Sequence, residues 1–259
     1  MATPATIAVS LPQIAKMIDH SLLHPAMTDG EIFAGLEMAK RYGVAAACVK
    51  PYSVPVAKDV LDDSGVLICA VIGFPHGNST TAIKVLEAEE AVKAGAHEID
   101  MVINVGKVLG GDWEYVTYEI RAINEIVVKR GAALKVIFEN DFLQDEHIIY
   151  LCKICTALSV AFVKTSTGFG FVRQSNGLFA YKGATVPHLR LMMANVGPNV
   201  QIKAAGGIRT LDEVMMAMSL GVARIGASST AAIMEEAARR GIETTPKEFS
   251  LASLADSHS

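Results

Sequence analysis

Two lysines and one aspartate sit where charged side chains are costly. Lys164 lies in Phe162-Val-Lys-Thr-Ser-Thr-Gly168, Lys203 in Gln201-Ile-Lys-Ala-Ala-Gly-Gly207, and Asp100 in Glu98-Ile-Asp-Met-Val102. A lysine in an apolar run is expensive if left charged and unpaired. Burial favours the neutral amine, which can attack a carbonyl and form a Schiff base. A second ammonium beside it strengthens that tendency, because like charges repel. An aspartate within reach could carry protons through a water as a carbinolamine dehydrates and an enamine forms. Plainer readings exist for each residue. Lys164 could pair with Asp100 or reach solvent, Lys203 could be a counter-ion for phosphate only, and Asp100 could merely neutralise a lysine. Asp19, in Ile18-Asp-His-Ser-Leu22, has the same two readings, with a structural or network role weighted more heavily.

The elements that must position these residues alternate along the whole chain. Strand patterns cover Ile18–Leu23, Ala45–Pro51, Val66–Phe74, Glu98–Asn104, Leu134–Asn140, Val160–Thr167, Gln201–Gly207 and Ala223–Ser228. Most are short apolar runs, as expected of strands buried on both faces. Helical patterns lie between them. Capping boxes at Thr28-x-x-Glu31, Thr210-x-x-Glu213 and Thr245-x-x-Glu248 predict three helix starts, the last with Pro246 at its first position. Eight such strands predict an α/β fold, a single (β/α)₈ TIM barrel over residues 1–259 with an N-terminal extension. A doubly wound open sheet is the alternative, but no Gly-x-Gly-x-x-Gly follows the first strand, and no Walker P-loop is present.

Four helix-to-strand joints repeat one pattern: Gly43-Val-Ala-Ala-Ala-Cys48, Gly95-Ala-His-Glu-Ile-Asp100, Ser159-Val-Ala-Phe-Val-Lys164 and Gly221-Val-Ala-Arg-Ile-Gly226. The glycine ends a helix in a left-handed cap, with Ser159 in its place once. The last residues of the four joints, Cys48, Asp100, Lys164 and Gly226, fall on alternate strands. Alternate strands fill one interior layer of a barrel, so spacing alone predicts a shared layer. Ala47, Ile99, Val163 and Ile225 then face outward under the helices. Cys48 is read as core packing near the site, since no histidine is placed to activate a thiolate. Glu139, inward if parity holds, is a candidate member of the lysine–aspartate network.

Gly206-Gly207 and Gly226-Ala-Ser-Ser229 each close a strand and precede a helix, at the strands whose loops often bind phosphate in barrels. Ser228 and Ser229 could add hydroxyls. No histidine pair has metal-ligand spacing, so a metal-dependent alternative to the imine is disfavoured. Cys152 and Cys155 form a Cys-x-x-Cys within an amphipathic helical pattern, without a second pair to complete a zinc site. The net charge of −4 and the pI near 6.0 argue against a nucleic-acid or polybasic membrane partner. The longest apolar run, Val66–Phe74, is far short of the roughly 20 residues of a membrane helix, and a cytoplasmic chain is expected.

The segments quoted above, with Val71-Ile-Gly-Phe-Pro75, Glu98-Ile-Asp-Met-Val-Ile-Asn104, Leu134-Lys-Val-Ile-Phe-Glu139, Lys203-Ala-Ala-Gly-Gly-Ile-Arg209 and Arg224-Ile-Gly-Ala-Ser-Ser229, resemble the deoxyribose-phosphate aldolase family. They run in that family's order from about residue 14 to residue 235. The resemblance implies reversible cleavage of 2-deoxy-D-ribose 5-phosphate to D-glyceraldehyde 3-phosphate and acetaldehyde. It implies Lys164 as the imine lysine, Lys203 as the group that perturbs it, and Asp100 as an aid to proton transfer. Gly206, Gly207, Ser228 and Ser229 match the phosphate-binding part, with Gly168 beside them. No organic cofactor or metal is implied.

Three features depart from the family pattern. The stretch between Gly168 and Gly183 is longer than usual and rich in apolar residues. It could form a lid, an oligomer contact or a solvent-facing excursion, and its Arg173 and Lys182 could touch phosphate. Lys50 shares the parity of Cys48 and could point into the barrel mouth. The last residues, Leu254–Ser259, lack the terminal Tyr that some members use in proton transfer. Two other classes compete: a phosphosugar isomerase or synthase without imine chemistry, and a non-catalytic phosphosugar-binding barrel. Barrels of this kind are often dimers, so a homo-oligomer is expected.

Overall fold

The computed structural model describes residues 6–251. Its first half runs Thr6–Val9 (β1), Leu11–Met17 (α1), Ile18–Leu22 (β2), Asp29–Tyr42 (α2), Ala46–Val49 (β3), Val54–Leu61 (α3), Leu67–Ile72 (β4), Thr81–Ala94 (α4), Glu98–Val102 (β5), Val105–Leu109 (α5) and Trp113–Lys129 (α6). The second half runs Ala133–Ile137 (β6), Asp145–Ala157 (α7), Phe162–Lys164 (β7), Val172–Arg173 (β8), Phe179–Ala180 (β9), Val186–Asn195 (α8), Gln201–Ala205 (β10), Leu211–Ser219 (α9), Arg224–Ala227 (β11), Thr230–Arg239 (α10) and Lys247–Ser250 (β12).

Strands β2, β3, β4, β5, β6, β7, β10 and β11 form a closed barrel in that order, all neighbours parallel, with β11 returning to β2. They are the eight strands expected from the sequence. Each lies between helices that cover the barrel from outside, which is the (β/α)₈ arrangement.

Apolar burial is split in two, as the parity of the strands requires. Ala47, Ile99, Val163 and Ile225 belong to the large cluster between strands and helices. Ala46, Cys48, Cys69 and Val71 form a small second cluster with Leu23. The joints behave as expected. Gly43 caps α2 at φ 60°, and Ser159 takes φ 52° without the freedom of a glycine. A residue forced there stores of order 1 kcal/mol of strain, which the packed strand behind it offsets.

One expectation fails. The capping box at Thr245 starts no helix, because Lys247–Ser250 is strand β12, paired antiparallel with β1 from Thr6↔Ser250 to Val9↔Lys247. A cap is worth about 1 kcal/mol. A ladder against an otherwise unpaired β1 satisfies more backbone groups than one short helical turn would. The segment Leu254–Ser259 lies outside the described residues. Among the described residues no helix is long and apolar enough to cross a membrane.

Candidate active site

Register brings the charged residues together. Lys164 pairs with Lys203 across β7 and β10, Asp100 with Lys135 across β5 and β6, and Asp19 with Gly226 across β2 and β11. Lys164 Nζ donates to Asp100 Oδ2 at 2.7 Å, and Lys203 Nζ donates to the same oxygen at 2.9 Å. Lys203 also reaches Asp19 Oδ2 at 2.5 Å. The shared layer expected from the joints is therefore real: Asp100 and Lys164 touch, and Cys48 Sγ stands 4.0 Å from Asp100 Oδ2. Gly226 fills its place by being small. A Cβ there would lie 3.1 Å from that of Ala205 and 3.7 Å from Lys203 Cε.

The network is larger than the three residues singled out in the sequence. Lys135 is fully buried and bonds Glu98 Oε2 at 2.5 Å, Asp100 Oδ1 at 3.1 Å and Asp19 Oδ2 at 3.6 Å. Arg224 adds Asp19 Oδ1 at 2.7 Å and Glu98 Oε1 at 3.3 Å. Cys69 Sγ lies 3.0 Å from Asp100 Oδ1. Parity would have found all of these. Lys135 has the inward parity of Glu139, Glu98 that of Asp100, and Arg224 that of Gly226.

Asp19 sits at the centre of this set, paired with Lys203, Lys135 and Arg224. Glu139 does not join. It takes a left-handed φ of 58° and turns its carboxylate to Thr167, accepting from the backbone N–H at 3.1 Å and from the hydroxyl. Lys50 stands at the rim and donates to the His24 carbonyl at 3.1 Å.

Electrostatics follow from this geometry. Burial pushes the Asp100 carboxyl up, but Lys135, Lys164 and Lys203 outweigh it and hold the group well below the usual carboxylate range. Burial works against the charge of Lys203, yet Asp100 and Asp19 raise its pKa well above an ordinary lysine. Lys135 is likewise raised against burial, with Asp100 the largest favourable contributor. His20 lies on β2 with Nδ1 2.8 Å from the Thr230 hydroxyl, and burial lowers it to about 4.

A cavity of about 740 Å³ opens at the carboxyl ends of the strands. Lys164, Lys203, Asp19 and Cys48 line it, while Asp100 lies behind the lysines. Gly168, Gly206, Gly207 and Ser228 line its other side, and Ser229 caps α10 next to them. Gly168, Gly206 and Gly207 take φ of 85°, 87° and 86°, where a side chain is strained, and close approach adds a second demand at their neighbour Gly183. Gly183 has φ 67°, and a Cβ on it would come within 2.3 Å of the Gly206 carbonyl.

The long stretch after Gly168 is a small hairpin, β8 paired with β9. Phe169, Phe171 and Tyr181 face the cavity, with Phe171 and Tyr181 in edge contact at 5.3 Å. The hairpin is tied down where Asp141 accepts from the backbone of Lys182 at 2.6 Å and of Gly183 at 2.9 Å. Lys182 lines an adjoining cavity that shares Gly206 and Gly207, whereas Arg173 is exposed. The two helix cysteines, Cys152 and Cys155, are buried on α7, away from these groups.

A parallel barrel with amines and a carboxylate below the mouth, and glycine turns around it, is a site equipped for carbonyl chemistry. Comparison with known proteins gives the family: residues 13–236 match DeoC/LacD family aldolase, and the chain belongs to that family of aldolases. It is 46% identical to the deoxyribose-phosphate aldolase of Rhodopirellula baltica over 227 residues, 88% of this chain and 90% of that one. The deoxyribose-phosphate aldolase of Caldanaerobacter subterraneus subsp. tengcongensis is 43% identical, over 90% of this chain and 97% of its own. Among solved structures, QR15, an aldolase, superposes with a TM-score of 0.80 at 35% identity, over 88% of this chain and 97% of its own. The deoxyribose phosphate aldolase of Aeropyrum pernix, described as tetrameric, gives 0.78 at 29% identity, over 88% and 92%.

Proposed function

We propose that the chain reversibly cleaves 2-deoxy-D-ribose 5-phosphate to D-glyceraldehyde 3-phosphate and acetaldehyde, with Lys164 as the imine-forming amine. One observation carries the choice of lysine. The buried network holds four cations, Lys135, Lys164, Lys203 and Arg224, against three carboxylates, Asp19, Glu98 and Asp100. A net charge in an apolar interior is costly, and loss of one proton balances the set. Removing it from Lys164 breaks one ion pair, from Lys203 two and from Lys135 three. Lys164 lines the cavity, as Lys203 does, so its amine meets substrate.

The steps follow from these positions. Lys164 attacks the open-chain aldehyde, and the hydroxyl leaves as water with a proton from the Lys203 ammonium. The iminium then draws in the electrons of the C2–C3 bond as the C3 hydroxyl gives its proton to the Lys203 amine left neutral by the dehydration, which releases the phosphorylated aldehyde and leaves an enamine. Asp100 accepts from both lysines and keeps the proton within the set. Protonation and hydrolysis of the enamine yield acetaldehyde and the free amine. Gly168, Gly206, Gly207, Ser228 and Ser229 hold the phosphate, whose binding energy positions the reacting carbon. A homo-oligomer, in its simplest form a dimer, and a cytoplasmic location belong to this reading. Sizing in solution and cell fractionation check them.

Borohydride reduction with acetaldehyde tests the assignment. An adduct on the peptide carrying Lys164 is expected, and Lys164→Leu should abolish cleavage with the fold intact. No adduct at any lysine, or full cleavage by the variant, refutes it. Unphosphorylated deoxyribose should be cleaved far less efficiently than its 5-phosphate.

A further inference from the structure

Glu139 and Thr167 have no part in the reaction outlined above, yet they stand between two cavities. Thr167 lines the large cavity that holds Lys164. Glu139 lines a separate cavity of about 180 Å³, together with Pro75, His76, Val105, Phe142 and Gly170. That volume has room for several waters, and His76 at its wall is exposed. The two side chains are joined directly. The Thr167 hydroxyl donates to Glu139 Oε2, and the Thr167 backbone N–H donates to Oε1 at 3.1 Å. The Phe169 N–H donates to Thr167 Oγ1 at 2.9 Å and holds the hydroxyl oxygen in place. The join is made at a cost. Glu139 keeps a left-handed φ of 58°, which a side chain adopts only where its surroundings over-determine it. Gly170 makes room for the carboxylate, since a Cβ there would come within 2.5 Å of Glu139 Cδ.

We propose that Glu139, acting through the Thr167 hydroxyl, carries solvent protons from the side cavity to the enamine on Lys164. The proposal rests on Lys164 forming an imine. Thr167 is the group that meets the reacting carbon, and Glu139 acts through it. The enamine π electrons form a C–H bond to the Thr167 hydroxyl proton as the C=N bond re-forms. Thr167 takes the proton of the Glu139 carboxyl in the same step. The Glu139 carboxylate recovers a proton from water in the side cavity. Water then adds to the iminium, and the collapse that releases acetaldehyde frees the Lys164 amine and returns one proton to solvent. In the reverse direction the same groups take a proton from the methyl carbon of bound acetaldehyde. The charge states favour Glu139 for this work. Against the effect of burial, the neighbouring lysines hold Asp100 and Asp19 below the ordinary carboxylate range. Burial holds Glu139 above that range despite its bonds to Thr167, with Asp141 adding to the rise and the Lys164 charge opposing it. Of these three carboxyls, Glu139 is the one moved toward the range in which a donor exchanges protons at neutral pH.

Two measurements on acetaldehyde separate the proton step from imine formation. Exchange of its methyl hydrogens in heavy water, followed by NMR, reads the proton step. Borohydride trapping on Lys164 reads the imine alone. Glu139→Gln keeps the shape of the side chain and an acceptor for the Thr167 N–H. It should lower exchange about 100-fold while trapping is kept. Gly170→Ala, at a backbone that tolerates a side chain, pushes the carboxylate aside and should lower exchange at least about tenfold in the same way. Thr167→Ser should retain exchange and Thr167→Val should lose it. Each rate is divided by the fraction of that variant trapped, so a loosened turn does not pass for a lost proton path. Exchange in Glu139→Gln within about tenfold of the parent, with trapping kept, overturns the proposal. Should that variant trap nothing, the Thr167 pair decides, and equal exchange per trapped site in Thr167→Ser and Thr167→Val overturns it as well. A parent chain that forms no adduct on Lys164 overturns the imine reading and the path with it.

Discussion

Asp100→Asn keeps the shape of the side chain and removes one charge from the middle of the network. Asp100 accepts from Lys164 at 2.7 Å, Lys203 at 2.9 Å, Cys69 at 3.0 Å and Lys135 at 3.1 Å, and it is fully buried. The variant leaves four cations facing Asp19 and Glu98 alone. Removing one partner of a buried pair costs about 3–5 kcal/mol. The expected loss at neutral pH is of that order. Against a typical stability of about 5–15 kcal/mol this is a large fraction.

The pH dependence of that loss has a definite sign. The carboxyl is held well below its ordinary value in the folded chain, so its contribution is complete above about pH 4 and fades as pH falls through that range. Urea unfolding followed by circular dichroism should therefore separate the two proteins at pH 7 and bring them together in acid. Cleavage should fall at least about 100-fold, as for loss of a group that holds a transferred proton. Adding Lys135→Met to the variant restores a set that one released proton can balance, so stability should recover in part. A variant within about 1 kcal/mol of the parent at pH 7, or within tenfold of its activity, would refute both the charge count and the role of Asp100.

Three further outcomes follow from the geometry. His20 is lowered from 6.5 to about 4 by burial, so the unfolded chain takes up its proton first, and about 3 kcal/mol of stability should drain away as pH falls from 6.5 to 4; His20→Phe should flatten that part of the stability curve. Gly183→Ala drives a Cβ to within 2.3 Å of the Gly206 carbonyl at a left-handed φ, which should raise KM for the phosphorylated substrate about tenfold or more while acetaldehyde trapping on Lys164 is kept. Thr167→Val strips the Glu139 carboxylate of its hydroxyl donor, with an expected cost of about 1–3 kcal/mol in urea titrations and faster proteolysis of the 169–182 hairpin.

The eight strands and the shared layer of Cys48, Asp100 and Lys164 were legible because both rest on periodicity. A parallel strand buried on both faces must be apolar, and a charged residue that breaks the run marks its own inward position. Lys135, Glu98 and Arg224 carry the same mark, but only counting parity along β5, β6 and β11 from Asp100, Glu139 and Gly226 reveals it. The Thr245 capping box misled for the opposite reason. It is a local signal, and the pairing of β12 with β1 joins residues from the two ends of the chain. Glu139 was misassigned by parity alone, since its left-handed backbone turns the carboxylate out of the layer to Thr167.

The charge balance could not be read from any motif, because it belongs to the whole set. Lys164 and Lys203 look equivalent in sequence, each a lysine in an apolar strand, and they are register partners in the fold. What separates them is Asp19, which Lys203 reaches at 2.5 Å from across β11. Lys203 is thereby fixed as a cation, and Lys135 is fixed more firmly still. Lys164, which lines the cavity as Lys203 does, is the amine left with a single carboxylate. The same reasoning explains the demand for Gly226. A side chain on β11 at that level would push on Lys203 and on Ala205, and the reach from Lys203 to Asp19 runs past that position. A glycine that sequence marks only as the fourth member of a layer thus keeps open the path by which Lys203 holds two carboxylates while its neighbour Lys164 holds one.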